Sequence, residues 1–238
     1  MKIIGISDMH GDLGSPIDMP QADVYCICGD IVPLWYQDSL VKSIVWLTSE
    51  FYPWCQQLPC DKVFYIAGNH DFVYERLMTD KGGNHRKAKE VDKLFLQPNK
   101  KVQYLENSYK EYNGVKFYGT PWCPELKRWA FYKPDEELTK EFAKIPEDTD
   151  VLLTHCPPRI DDYGTVLEGG VRYGLYGANF GCQSLADRLQ QIHPKLHIFG
   201  HVHSGLHEPK EINGTTFCNV SVKNENYKVT YYPREFEI

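Results

Sequence analysis

Residues 63–71 read Val-Phe-Tyr-Ile-Ala-Gly-Asn-His-Asp. Five apolar residues, mostly β-branched or aromatic, give way at a glycine to an amide, an imidazole and a carboxylate. The apolar part has the length of a buried strand, and the polar part begins where such a strand would end. Four further stretches share this form. Ile3-Ile4-Gly5-Ile6 runs into Ser7-Asp8-Met9-His10. Val24 to Cys28 runs into Gly29-Asp30. Val151-Leu152-Leu153 runs into Thr154-His155. Leu196 to Phe199 runs into Gly200-His201-Val202-His203. Ligands of parallel α/β sheets gather beyond the carboxyl ends of the strands. The five polar blocks are therefore expected to converge, although they span almost the whole chain.

Helical patterns lie between the strand-like runs. One starts near Asp38 or Ser39 and carries Leu40, Val41, Ile44, Val45 and Leu47. Others cover roughly Arg86 to Leu96, Asp135 to Lys144 after Pro134, and Cys182 to Ile192. Two Asn-Gly pairs, Asn113-Gly114 and Asn213-Gly214, predict tight hairpins. Alternating β and α with later hairpins predicts mixed sheets with helices outside. Pro157 to Gly181 holds six glycines with Tyr163, Tyr173, Tyr176 and Phe180, a long loop of the kind that carries function.

The bulk numbers narrow the classes. The chain has 238 residues, enough for one large domain over 1–238 rather than two small ones. Its formal net charge is -6, so its overall field does not attract nucleic acid. No apolar run is long enough for a membrane span. The apolar part of Met1 to Asp8 is too short for a signal peptide, so a cytoplasmic location is expected. There are eight cysteines, without C-x-x-C spacing and several inside strand-like runs. They are expected to be reduced and buried, with Cys26 and Cys28 on one strand face.

The polar blocks have a coherent chemistry. Asp8 and His10 are two apart, as are His201 and His203, so each pair can grip one ion or two adjacent ions. Carboxylates and imidazoles with an amide oxygen suit divalent Mn, Fe, Zn, Ni or Mg. His85, His193, His197 and His207 lie outside the pattern and are expected to be structural or surface residues.

The ordered set Asp8-x-His10, Gly29-Asp30, Gly68-Asn69-His70-Asp71, Thr154-His155 and Gly200-His201-Val202-His203 resembles the calcineurin-like metallophosphoesterase superfamily. The stretches at Gly119, Asp150, Gly181, His193 and Gly214 are similar to a branch of small, brain-type metallophosphoesterase-domain proteins. That branch is associated with cyclic-nucleotide phosphodiesterase activity. The resemblance implies a four-layer α/β/β/α sandwich of two mixed β-sheets flanked by helices. It implies two divalent metal ions per chain, manganese among the candidates, and hydrolysis by a hydroxide they share.

Carried over by motif, Asp8, His10, Asp30 and His203 would hold the first ion. Asp30 would bridge to a second, completed by Asn69, His155 and His201. His70 would face the scissile phosphate, oriented by Asp71. The expected substrate is a small phosphodiester, with cyclic nucleotides the leading candidates. Asn69 and His70 would contact phosphate, Arg159 or Arg172 could pair with it, and Trp122 or a loop aromatic could stack on a base. Phosphomonoesterase or pyrophosphatase activity is the alternative, and a non-catalytic protein-binding scaffold a further one. The text after Gly29-Asp30, "IVPLWYQ", lacks the arginine of the protein serine/threonine phosphatases, which argues against phosphoprotein substrates.

Overall fold

The structure, a computed structural model, describes residues 1–78, 100–124, 127–167 and 174–238. The helix expected over Arg86 to Leu96, and with it His85, lies outside the described residues, as do Arg172 and Tyr173. Eleven strands are described: β1 (Lys2–Ile6), β2 (Val24–Cys28), β3 (Lys62–Ile66), β4 (Val102–Tyr104), β5 (Ser108–Tyr112), β6 (Val115–Thr120), β7 (Val151–Thr154), β8 (Leu196–Phe199), β9 (Lys210–Ile212), β10 (Thr215–Asn219) and β11 (Arg234–Glu237). They form a five-stranded sheet, β11-β1-β2-β3-β4, and a six-stranded sheet, β5-β6-β7-β8-β10-β9. Both sheets are mixed. β1 to β4 run parallel with β11 antiparallel at the edge. β6, β7, β8 and β10 run parallel between two antiparallel edges, β5 and β9. Both hairpins form at the expected places, with Asn113 (φ 49°) and Asn213 (φ 52°) in the left-handed region of two-residue turns.

Strands buried on both faces explain the continuous apolar runs, and side-chain alternation sorts them between two clusters. Ile3, Val24, Cys26, Cys28, Phe64 and Ile66 of the first sheet meet Phe117, Val151, Leu153, Ile198 and Cys218 of the second. The alternate residues Ile4, Ile6, Tyr25, Ile27, Tyr65, Tyr118, Leu152 and Phe199 face outward, into a cluster that contains the helical residues. On the first sheet's side, α1 (Leu40–Trp46) continues through a π-helical turn (Leu47–Phe51) into α2 (Tyr52–Gln57); the turn contributes Phe51 and α2 contributes Trp54 and Cys55. α3 (Phe72–Met78) leaves the end of the β3 loop. On the other side α4 (Asp135–Phe142) packs on α5 (Gln183–Leu189), contributing Leu138, Phe142, Leu185 and Leu189. Helix, sheet, sheet, helix is the expected four-layer sandwich.

Ser39 caps α1, its hydroxyl accepting the Lys42 N–H at 3.4 Å, as the sequence around Asp38 and Ser39 predicts. All eight cysteines are unpaired, and Cys26 and Cys28 share the face between the sheets. No helix among the described residues is long and apolar enough to cross a membrane.

Phe64 and Phe117 meet across the two sheets with ring centroids 4.8 Å apart. Truncating Phe117 to alanine removes that contact and leaves a void that flanking strands cannot close. Phe117→Ala is expected to lower unfolding stability by about 3–5 kcal/mol in a urea titration. A loss below about 1 kcal/mol would mean that the two sheets do not share this core.

Candidate metal centre

The five polar blocks do converge. Two groups of described side chains bring ligand atoms within 4.8 Å of one another: Asp8, His10 and His203, and Asp8, Asp30 and His155. Asn69 joins them through its amide oxygen, 2.9 Å from His155 Nε2 and 2.9 Å from His201 Nδ1. Asp30 lies between the two halves. Its Oδ2 faces His10 Nε2 at 3.6 Å and its Oδ1 faces His155 Nε2 at 3.5 Å. His203 Nε2 is 3.2 Å from Asp8 Oδ1.

The backbone is bent to achieve this. Asp8 (φ 57°), His10 (φ 44°), Asp30 (φ 52°) and His201 (φ 73°) all occupy the left-handed region that L-residues avoid. Such strain persists where the surroundings over-determine it. The approach is also too close for side chains at two glycines. A Cβ on Gly68 would sit 2.3 Å from Asp30 Oδ1, and one on Gly200 would sit 2.1 Å from Asp8 Oδ2.

Backbone groups aim the imidazoles. His155 Nδ1 donates to the Cys28 carbonyl at 2.7 Å and His203 Nδ1 to the Asn224 carbonyl at 3.1 Å. Each bond leaves Nε2 turned into the site, the arrangement that orients metal-binding histidines. Asp8 Oδ2 accepts the Ser221 hydroxyl at 2.7 Å and the His201 N–H at 3.0 Å, leaving Oδ1 turned inward. Neither ring nitrogen of His10 has a hydrogen-bond partner, although the ring is buried. A buried polar group without a partner is costly, and an orphaned imidazole nitrogen gathered with Asp8, His203 and Asp30 fits a cation.

Charge follows from burial and neighbours. Burial pushes His10 and His201 down to about 3, so both are neutral with a lone pair to offer. Burial opposes charge on His155 too, but the Asp30 carboxylate outweighs it and pushes this ring up to about 9. Burial likewise resists charge on Asp8 and Asp30. The facing imidazoles of His203 and His155 overcome it and hold both carboxyls well below their usual range.

Three expectations need correcting. Asp71 does not orient His70. Its carboxylate accepts the N–H groups of Gly68 (2.8 Å), Val32 (2.9 Å) and Ile31 (3.0 Å), tying the β2 loop to the β3 loop. His70 Nδ1 instead meets Gln37 Oε1 at 2.6 Å, while its Nε2 lies 3.9 Å from Asp30 Oδ2. Trp122 is only 8% exposed, its ring covered by Lys133 and Phe131, so it offers no face to a base. Tyr163 is fully buried, its hydroxyl donating to the Phe217 carbonyl, so it packs the loop down instead of stacking. Arg159 is exposed and lines a pocket with Asp135, Asn179, Phe180 and Gln183 that opens against His201. His197, bonded to Thr154, and His207, stacked on Tyr231, are structural, and His193 is exposed.

Residues that sequence reasoning missed include Ser221, Gln37, Trp129 against His70 (centroids 4.2 Å), and Tyr227 against His10 (5.1 Å) and His203 (5.2 Å). Ser221 alone had a signal, as the end of the Gly214 stretch.

The sequence profile described as Calcineurin-like phosphoesterase matches residues 1–205. The human protein Metallophosphoesterase domain-containing protein 1 is 30% identical over 240 residues, covering 95% of this chain and 68% of its own length. A UPF0046 protein of Caenorhabditis elegans is 28% identical over 246 residues, covering all of this chain and 75% of the relative. A solved crystal structure superposes with a TM-score of 0.62 at 14% identity, over 92% of this chain and 89% of its own, a likeness of fold alone.

Asp71 supplies a stability test. Asp71→Ala leaves the buried N–H groups of Ile31, Val32 and Gly68 without their acceptor, at about 1–3 kcal/mol each. Urea unfolding is expected to show a loss of at least about 3 kcal/mol on that basis. Unchanged stability would mean that the carboxylate is not the tie between these loops.

Proposed function

Since the chain belongs to the calcineurin-like phosphoesterase family, we propose that Asp8, His10, Asp30 and His203 hold one divalent cation and that Asp30, Asn69, His155 and His201 hold a second. The observation that carries this is Asp30, whose two oxygens face opposite halves of the cluster. The residues fit the group: two buried carboxylates, four imidazoles and one amide oxygen suit manganese, iron, zinc, nickel or magnesium. Two such cations would lower the pKa of a water and screen the phosphate's negative charge.

The protein's own groups do the rest. Cys28 and Asn224 carbonyls keep the His155 and His203 rings aimed, and Ser221 keeps Asp8 aimed. His70 Nε2 faces the same space and would hand a proton to the departing oxygen. Asn69 and His70 would meet phosphate oxygens, with Arg159 at the pocket wall.

The finer reading is a phosphodiesterase acting on small diesters, cyclic nucleotides included. Arg159 is the one basic side chain among the described residues that line this pocket, and Asp135 lines it too. One cation beside a carboxylate suits the single charge of a diester better than the double charge of a monoester. Phe180 lines the same pocket and Tyr176, on the same loop, is 63% exposed, which leaves an aromatic face for a base. A shared core between the sheets supports residues 1–238 as one domain. Eight unpaired cysteines fit a cytoplasmic location.

Asp30→Ala is expected to purify with well under half the metal of the parent by elemental analysis, and to lose nearly all hydrolysis of bis(p-nitrophenyl) phosphate. Retention of both ions in that variant would sink the bridging role. The parent is expected to cleave this diester faster than p-nitrophenyl phosphate. Arg159→Ala is expected to raise KM for a cyclic nucleotide more than KM for the aryl diester. Monoesters outrunning diesters with every metal would overturn the diester reading.

A further inference from the structure

We infer that Gln37 is a positioning residue for His70: its amide oxygen holds the Nδ1 proton and thereby fixes the ring with Nε2 turned towards Asp30 and the bond to be cleaved. This rests on the phosphoesterase reading of the same site.

Three observations meet here. Gln37 Oε1 lies 2.6 Å from His70 Nδ1, and His70 is only 9% exposed. The carboxylate next in sequence, Asp71, has its hydrogen bonds on Ile31, Val32 and Gly68 and leaves the imidazole to another partner. The ring is also confined: Trp129 lies on one side with centroids 4.2 Å apart, and the edge of His10 approaches at 4.9 Å. Phe72 stacks behind Trp129 at 6.0 Å. Confined in this way, the ring keeps one main choice, the flip that exchanges nitrogen and carbon positions. The Gln37 bond decides that flip, because only Nδ1 can donate to the amide oxygen.

The identity of the partner has a chemical consequence. An amide oxygen accepts a hydrogen bond but is too weak a base to take the proton. Nδ1 therefore keeps its hydrogen throughout, and the proton that moves is the one on Nε2. As the bond from phosphorus to the leaving oxygen breaks, its electron pair stays on that oxygen, which takes the proton from Nε2–H of the imidazolium. The ring is left neutral and still protonated at Nδ1. The oxygen of water makes the new bond to phosphorus, and the proton it sheds restores, through solvent, the one that His70 gave.

The experiment compares the parent with Gln37→Met, which keeps the volume and loses the acceptor, and Gln37→Glu, which keeps an oxygen in place. The uniformly ¹⁵N-labelled full chain, loaded with diamagnetic magnesium, reports the His70 tautomer through its ring-nitrogen shifts. The parent and Gln37→Glu are expected to show protonated Nδ1, and Gln37→Met a mixture. In turnover, Gln37→Met is expected to lose about 10- to 100-fold in kcat for a diester with an alkyl leaving group, part of the usual contribution of a general acid. Its KM should hold, the p-nitrophenyl diester, which needs no proton, should be little affected, and Gln37→Glu should recover most of kcat while its added charge raises KM. An unchanged nitrogen signature in Gln37→Met, or an equal loss across leaving groups, overturns the proposal. If the parent cleaves no phosphoester, the phosphoesterase reading falls, and the nitrogen signature alone decides whether Gln37 sets the ring.

Discussion

A fully buried carboxylate, Asp30, joins the two sheets' contributions into one site. Its Oδ1 accepts the His70 N–H at 2.8 Å and faces His155, and its Oδ2 faces His10. Removing an anion from water costs several kcal/mol unless cations and donors surround it. The chain supplies them from both sheets at once: the His70 N–H donates from the loop after β3, and the positively charged His155 faces the carboxylate from the end of β7. The strand ends of two separate sheets are therefore committed to meet at this point, and the left-handed backbone at Asp8, His10, Asp30 and His201 is the strain that the meeting imposes.

That commitment reaches back into the sequence at Gly68 and Gly200. Each is forced by proximity to a carboxylate oxygen, 2.3 Å from Asp30 and 2.1 Å from Asp8 for the side chain it lacks. The glycine that ends an apolar run is thus the place where backbone passes directly over a carboxylate. This is why the blocks at Gly68 and Gly200 have glycine first and ligand after. Asp71 belongs to the same construction. Three N–H donors converge on it from two loops, so it secures the position of Asp30 through the backbone on either side.

The fold and the convergence of the five polar blocks were legible because both follow from local patterns. Continuous apolar runs mean strands covered on two faces, and a polar cluster after each run means a shared edge. Pairwise contacts were not legible in the same way. Asp71 sits beside His70 in sequence, yet its geometry points it back under the β2 loop, and the imidazole finds Gln37, 33 positions earlier. Trp122 and Tyr163 carry the residue types of a stacking platform, but adjacency to a site in sequence does not determine which face a ring turns to it. Trp122 turns towards Lys133 and Phe131, and Tyr163 towards Phe199 and Phe217. Ser221 reaches Asp8 across 213 positions, a separation over which no local pattern speaks.

The partner of His70 also suits the charge already gathered there. Asp8 and Asp30 already place two buried carboxylates in the cluster, and a third buried carboxyl, Asp71, lies behind it on the loop backbone. A fourth carboxylate on His70 Nδ1 would hold the ring as firmly as Gln37 does, through a stronger, charge-assisted bond. It would also add a negative charge beside an incoming anion, in a medium where such repulsion is poorly screened. An amide delivers the orientation without the charge. The nearest carboxylate is meanwhile turned away from the imidazole and occupied by backbone donors. The same loop can thus tie two strands together and leave His70 Nδ1 to an uncharged partner.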